Sequence, residues 1–170
     1  MKSIESYFLA ANRWFLIVLL AAMSVIIFTN ISLRYLTNES IEWAEEVARY
    51  LMVWLTFAGA GPVLRYGGHI AVENLQDSLP IKWARALRVL IALMLTSFFI
   101  FIIWYGAIYV NRVQFQTTPT TQISMSWVYA SMPVGGVLLL AHWLFIVRDY
   151  VLTRTFAADS HFDATASASL

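Results

Sequence analysis

The residues from Trp14 to Ile31, WFLIVLLAAMSVIIFTNI, run for 18 positions without a charge. As an α-helix this run rises about 27 Å, close to the ~30 Å hydrocarbon core of a bilayer. Backbone polar groups find no water there, so such a run spans as a helix with all its hydrogen bonds internal. Three further apolar runs follow, at about 47–64, 89–109 and 127–147. The expected fold class is therefore all-α integral membrane, with four transmembrane helices. Composition agrees: 60% of the 170 residues are hydrophobic and 12% charged, whereas soluble domains are nearer half apolar and a quarter charged. No small-x-small cleavage site follows the first run, so it reads as a span and not as a cleaved signal peptide.

Composition also excludes some functions. The net charge is +1, and no basic cluster is interleaved with aromatics, so nucleic acid is not an expected partner. The chain has no Cys, which removes disulfides, thiolate metal sites and cysteine nucleophiles.

In chain order, Ile4, Phe8, Ala11 and Phe15 recur at helical spacing and suggest an interfacial lead-in to the first span. Asn30 and Arg34 stand one turn apart at its far end, beside Tyr35. Thr37 to Ser40 is a turn, with Ser40 placed to N-cap the next helix. Gly59, Gly61 and Pro62 lie near the end of the second span, and Arg65-Tyr66-Gly67-Gly68 reads as its stop. Ile70 to Leu79 is too short and polar to span. Ala71, Leu75 and Leu79 share one face while Glu73 and Asp77 share another, as in a short interfacial amphipathic helix between spans 2 and 3. Pro80 opens the third helix, which Lys82, Arg85 and Arg88 lead into and Trp104, Tyr105 and Tyr109 close as an aromatic belt. Asn111 to Ser126 is a polar loop. Pro133 and Gly135-Gly136 predict a kink in the first half of the fourth span. Residues 1–150 form one transmembrane domain, and the Ala- and Ser-rich residues 151–170 read as a disordered cytoplasmic tail.

The basic residues set an orientation. Lys2, Arg13, Arg65, Lys82, Arg85, Arg88, Arg148 and Arg154 fall on one side, and Arg34, Arg49 and Arg112 on the other. Eight against three places both termini in the cytoplasm.

The second span has a charged head: Glu42, Glu45, Glu46 and Arg49 stand at its mouth. Charges there are costly without partners. At about 100° per residue, Arg49 falls between Glu45 and Glu46 on one face. Glu45 and Arg49 make an i,i+4 pair in the favourable order. Val53, Thr56 and Ala60 continue that face as a small, mildly polar stripe suited to another helix. The cluster has three readings: an ion or proton site, a carboxylate metal site, or a structural anchor. No other span carries an acid and His69, His142 and His161 are scattered, so the anchor is preferred. Asn30 and Arg34 suit an anionic substrate, or a pairing of Arg34 with the acids of the next helix; the pairing is preferred. Arg65 to His69 lacks the glycines and Lys-Ser/Thr of a phosphate loop and reads as a surface turn. His142 has no histidine partner in another span and reads as a hydrogen-bonded packing residue. Gln122, Ser124 and Trp127 are placed to cap the fourth helix or to touch a partner. No mid-membrane charge or broken helix marks an independent transport path.

Three stretches together carry a family resemblance. They are Trp43 to Phe57 with Gly59; Arg65-x-Gly67-x-His69-Ile70-x-Val72 followed by Leu75 and Leu79-Pro80; and Gln122 to Tyr129 with Pro133-Val134-Gly135. Asn30-x-x-x-Arg34 fits as well. On these the chain resembles the small, DctQ-like membrane subunit of tripartite ATP-independent periplasmic (TRAP) transporters, over roughly Trp14 to Val147. Glu73 stands where Asp is expected in that family and keeps its charge.

The resemblance implies a non-enzymatic accessory role in the bacterial inner membrane. A periplasmic solute-binding protein captures an organic acid, a C4-dicarboxylate or sialic acid. A large multi-span subunit moves it inward, coupled to sodium, and the small subunit is its scaffold amid membrane lipids. It implies no catalytic, cofactor, metal or sodium-binding residue in this chain. The residues expected at the subunit interface, or as structural anchors, are Glu42, Glu45, Glu46, Arg49, Asn30, Arg34, Thr56, Arg65, His69, Gln122, Ser124 and Trp127. The competing expectations are a self-sufficient homo-oligomeric transporter or channel using Glu45 or Glu46, and a membrane redox or metal enzyme.

Overall fold

The computed structural model describes residues 2–65 and 80–153. Among these it is helical: α1 (Lys2–Thr37), α2 (Ala44–Arg65), α3 (Ile81–Arg112), the short α4 (Met125–Tyr129) and α5 (Ser131–Thr153). Four stretches are long and apolar enough to cross a membrane: Glu5–Thr37, Ala44–Arg65, Ile81–Arg112, and Met125–Leu152, which runs through α4 into α5. The four expected spans are present. His69, the expected amphipathic helix at Ile70 to Leu79 and the tail beyond Thr153 lie outside the described residues.

The boundaries differ from the expected ones for physical reasons. The lead-in is continuous with the first span: α1 has 36 residues, about 54 Å of helix, more than the hydrocarbon requires. It stops where the Thr37 hydroxyl folds back on the Leu33 carbonyl (2.7 Å) and Asn38 turns left-handed at φ 59°, a conformation Asn tolerates. Helix α2 begins at Ala44, so Ser40 does not cap it. The expected kink in the fourth span is a break at Ala130, between α4 and α5. Pro133 has no N–H for the Tyr129 carbonyl, and the backbone ladder resumes with the Val134 N–H on the Ala130 carbonyl, 3.1 Å away.

The helices pack as a row. Helix α2 lies against α1 and α5, and α5 lies against α2 and α3. The order across the layer is therefore α1, α2, α5, α3. Inside the apolar window of α1 only 6% of residues are buried, against 39% for the span that contains α5. The centre of the row is built by close approach. A Cβ on Gly135 of α5 would lie 2.6 Å from the Phe57 Cβ and 2.8 Å from the Phe57 backbone of α2. Small residues let helices come this near when lipid supplies no hydrophobic drive between them. The α3–α5 side is filled by Ala92, Phe99, Leu139, Trp143, Ile146 and Tyr150, with Leu64 of α2 completing the cluster. Trp143 is fully buried, and its indole N–H donates to the Thr96 hydroxyl at 2.9 Å, as a buried tryptophan requires.

Candidate functional site

The charged head of α2 meets two polar segments. The first is the α1–α2 connector. Asn30, buried near the end of α1, accepts the Ile41 N–H on its side-chain oxygen at 2.7 Å. The Ala44 N–H then bonds to the Ile41 carbonyl at 3.1 Å and α2 begins. Asn30 therefore shapes the turn that launches the second helix.

The second segment joins α3 to α4. Here the Thr118 N–H donates to the Ile123 carbonyl (2.9 Å) and the Met125 N–H to the Gln116 carbonyl (2.8 Å). Thr117 and Ser124 form a β-bridge. The Thr118 hydroxyl accepts the Ile123 N–H at 3.1 Å and shares a hydrogen bond with the Thr121 hydroxyl at 2.7 Å. Gln122 is left-handed at φ 55°, and its side-chain amide donates to the Pro119 carbonyl at 2.8 Å. Ser124 caps α4, accepting the Ser126 N–H on its hydroxyl and donating that hydroxyl to the Gln114 carbonyl at 2.8 Å. The expected polar loop is thus a compact hairpin-like turn.

That turn aims its donors at one carboxylate. Glu46, only 4% exposed, accepts the N–H of Thr120 (2.9 Å), the N–H of Thr121 (3.1 Å) and the hydroxyl of Thr121 (2.6 Å). Consecutive backbone N–H groups facing one way form an anion nest, and the protein's own side chain fills it. A carboxylate so satisfied latches α2 to the α3–α4 turn and has little left to offer a transported cation. A second tie joins the same elements: the Trp54 indole N–H donates to the carbonyl of Trp127 at 3.1 Å, while the Trp127 ring stays 71% exposed.

The remaining head residues separate. Glu42 lies in the turn before α2 and is exposed, as is Arg34. Among the described residues neither Glu45 nor any other head acid lies within 4 Å of Arg49 or Arg34. The expected Glu45–Arg49 pair and the expected pairing of Arg34 with the acids are therefore not formed. The distance along the helix was right, but both side chains extend outward, where an exposed pair gains little over hydration. Glu45, Arg49 and Asn30 instead line a groove between α1 and α2. Thr56 is exposed and returns its hydroxyl to the Met52 carbonyl at 2.8 Å.

The opposite ends of the helices hold a second polar group, assembled from residues far apart in the sequence. Arg65 at the end of α2 pairs with Glu5 of α1. Nearby, the Asn12 amide nitrogen lies 3.0 Å from His142 Nε2 and donates to the Ala58 carbonyl at 3.4 Å. His142 is fully buried and sits against Gly61, where a Cβ would come 2.3 Å from its ring. Asn12 and Glu5 are the partners that a scan of the apolar spans passes over, because both precede the first of them. Among the described residues no three of His, Asp and Glu gather as metal ligands would.

Residues 23–151 match the family described as tripartite ATP-independent periplasmic transporters, DctQ component. The ectoine TRAP transporter small permease protein TeaB of Halomonas elongata is 30% identical over 139 residues, covering 81% of this chain and 71% of TeaB. The sialic acid TRAP transporter small permease protein SiaQ of Vibrio cholerae is 32% identical over 125 residues, covering 72% and 70%. The sialic acid TRAP transporter permease protein SiaT of Haemophilus influenzae is 23% identical over 133 residues, covering 78% of this chain but 22% of SiaT.

Proposed function

We propose that this chain, which belongs to the DctQ component family of tripartite ATP-independent periplasmic transporters, is the static scaffold on which a large permease subunit assembles. The family makes it a transporter component and not an enzyme, and its four spans make it a multi-pass membrane protein. The observation that carries the scaffold reading is the match to SiaT. A segment similar to this chain accounts for about a fifth of that permease, so there the counterpart of this chain and the remaining permease share one polypeptide. The row supports the same reading. Its outer helices α1 and α3 bury little of their apolar windows within the chain, and Glu46 and Arg65 are used to brace the row itself.

The cargo we infer is a carboxylate-bearing solute, delivered by a periplasmic solute-binding protein and moved by the large subunit at the expense of a sodium gradient. The ectoine and sialic acid of the relatives' names both carry a carboxylate, and C4-dicarboxylates belong to the same test set. The excess of basic residues on one side supports an inner-membrane orientation with both termini in the cytoplasm.

Vesicles decide the role. Those holding only this chain, given a sodium gradient and solute-loaded binding protein, take up nothing; adding the large subunit restores uptake. Uptake by the chain alone, or its recovery from native membranes as a pure homo-oligomer, overturns the scaffold reading in favour of a self-sufficient transporter.

A further inference from the structure

We propose that the groove between α1 and α2 binds one phospholipid with an amine-bearing headgroup, such as phosphatidylethanolamine. The groove has a volume of about 360 Å³. Its floor is apolar, formed by Met23, Ile27 and Ile31 of α1 with Ala44, Ala48 and Met52 of α2. Its rim carries three polar residues, Asn30, Glu45 and Arg49. The floor suits an acyl chain, and the rim suits a zwitterion.

The rim chemistry selects the headgroup. Glu45 and Arg49 stand one helical turn apart, about 6 Å along the axis, and do not pair with each other or, among the described residues, with any other charged group. An acid and a base left separate in this way match an ammonium and a phosphate joined by a two-carbon link. Arginine also holds phosphate oxygens through a planar fork of donors. Asn30 adds a third contact. A backbone N–H can only donate, so the side-chain atom facing the Ile41 N–H is the oxygen. The amide nitrogen is then a donor with no partner among the described residues, on a residue that lines the groove. Position agrees as well. The rim lies where α1 ends and α2 starts, at an end of both spans, which is headgroup level, and the floor runs from there toward the hydrocarbon.

A helix of a partner protein would cover the same floor, but it would leave two opposite charges at the rim to be matched separately. A zwitterionic headgroup matches both at once with no net charge. This inference is independent of the scaffold reading, since the groove is formed by α1 and α2 of this chain whether or not it carries a large partner; the test therefore reads lipid and not transport.

The full chain, purified and delipidated, is titrated with phosphatidylethanolamine and with phosphatidylglycerol and read by native mass spectrometry. One phosphatidylethanolamine per chain binds about ten-fold more tightly than phosphatidylglycerol. Glu45→Gln abolishes that preference, and Arg49→Gln weakens both lipids about ten-fold, each ten-fold step being about 1.4 kcal/mol. Glu42→Gln, on the same helix head but outside the groove, leaves both affinities unchanged. A benzophenone side chain at Met52 attaches to lipid on illumination. Equal binding of the two lipids, an equal loss in Glu42→Gln, or a photoadduct with protein in place of lipid overturns the proposal.

Discussion

Replacing Gly135 by Ala tests the claim that the row is held at its centre by backbone contact between α2 and α5. The new methyl carbon would sit 2.6 Å from the Phe57 Cβ and 2.8 Å from its carbonyl carbon and oxygen. Non-bonded carbons settle at about 3.5–4.0 Å, so the helices must separate by roughly 1 Å. The obstacle is backbone, which cannot swing aside as a long side chain can. Overpacking of this kind costs about 1–3 kcal/mol. Gly59→Ala supplies the control, because its Cβ would meet only Leu16 Cδ2 at 3.8 Å, an ordinary contact. Both substitutions gain the same helix propensity, about 0.5–1 kcal/mol over Gly. Gly59→Ala should therefore be neutral or slightly stabilising. Gly135→Ala should lose about 1–2 kcal/mol net, a shift of roughly 5- to 30-fold in the folded ratio. The folded fraction is measured by fluorescence-detected gel filtration of the detergent-solubilised protein after graded heating. If the two variants melt together, the close approach at Phe57 is not what holds the row.

The Glu46 latch and the orientation are each open to cysteine labelling, since the chain has no native Cys. In a Gln122→Cys background, Glu46→Gln should speed maleimide labelling of the α3–α4 turn, because an amide NH₂ then opposes one of the N–H donors of Thr120 and Thr121; Glu45→Gln should leave the rate as it was. Equal rates in the two variants would remove Glu46 from its role. Lys82→Cys, at the exposed start of α3, should resist a membrane-impermeant maleimide added from the periplasmic side, while Glu39→Cys in the α1–α2 connector should react. The reverse pattern places the termini outside.

The spans were legible because length and apolarity alone decide whether a segment can cross a bilayer. Their edges were less so. Helix α1 reaches back to Lys2 because Glu5 and Asn12 find partners on α2 and α5, and those partners are 60 and 130 residues away. The break at Ala130 was placed too late because a proline acts on the carbonyl four residues before it, not at its own position. The order of helices across the row was not legible. Helices apolar on all sides carry no periodic stripe to say which face meets protein and which meets lipid.

The acidic cluster shows where local rules stop. A helical wheel gives an angle to every residue, yet Glu42 precedes α2, where no helical angle applies. Glu45 and Arg49 lie within the helix and do share a side, since both line one groove. Sharing a side is a statement about Cβ direction, however, and exposed side chains have little reason to close the remaining distance. Glu46 differs because it is buried, and a buried carboxylate must find donors wherever the fold brings them. They come from Thr120 and Thr121, 74 and 75 residues on. The signal was present in Thr117-Thr-Pro-Thr-Thr121. Pro119 favours a turn there, and the residues after it keep their N–H groups, which the short turn cannot pair with itself. An unspent run of donors in one interfacial loop and an unspent acid at the mouth of a span are complementary needs. Matching them across the sequence points to an acid of this cluster, and the packing that buries Glu46 while Glu45 stays exposed decides which one.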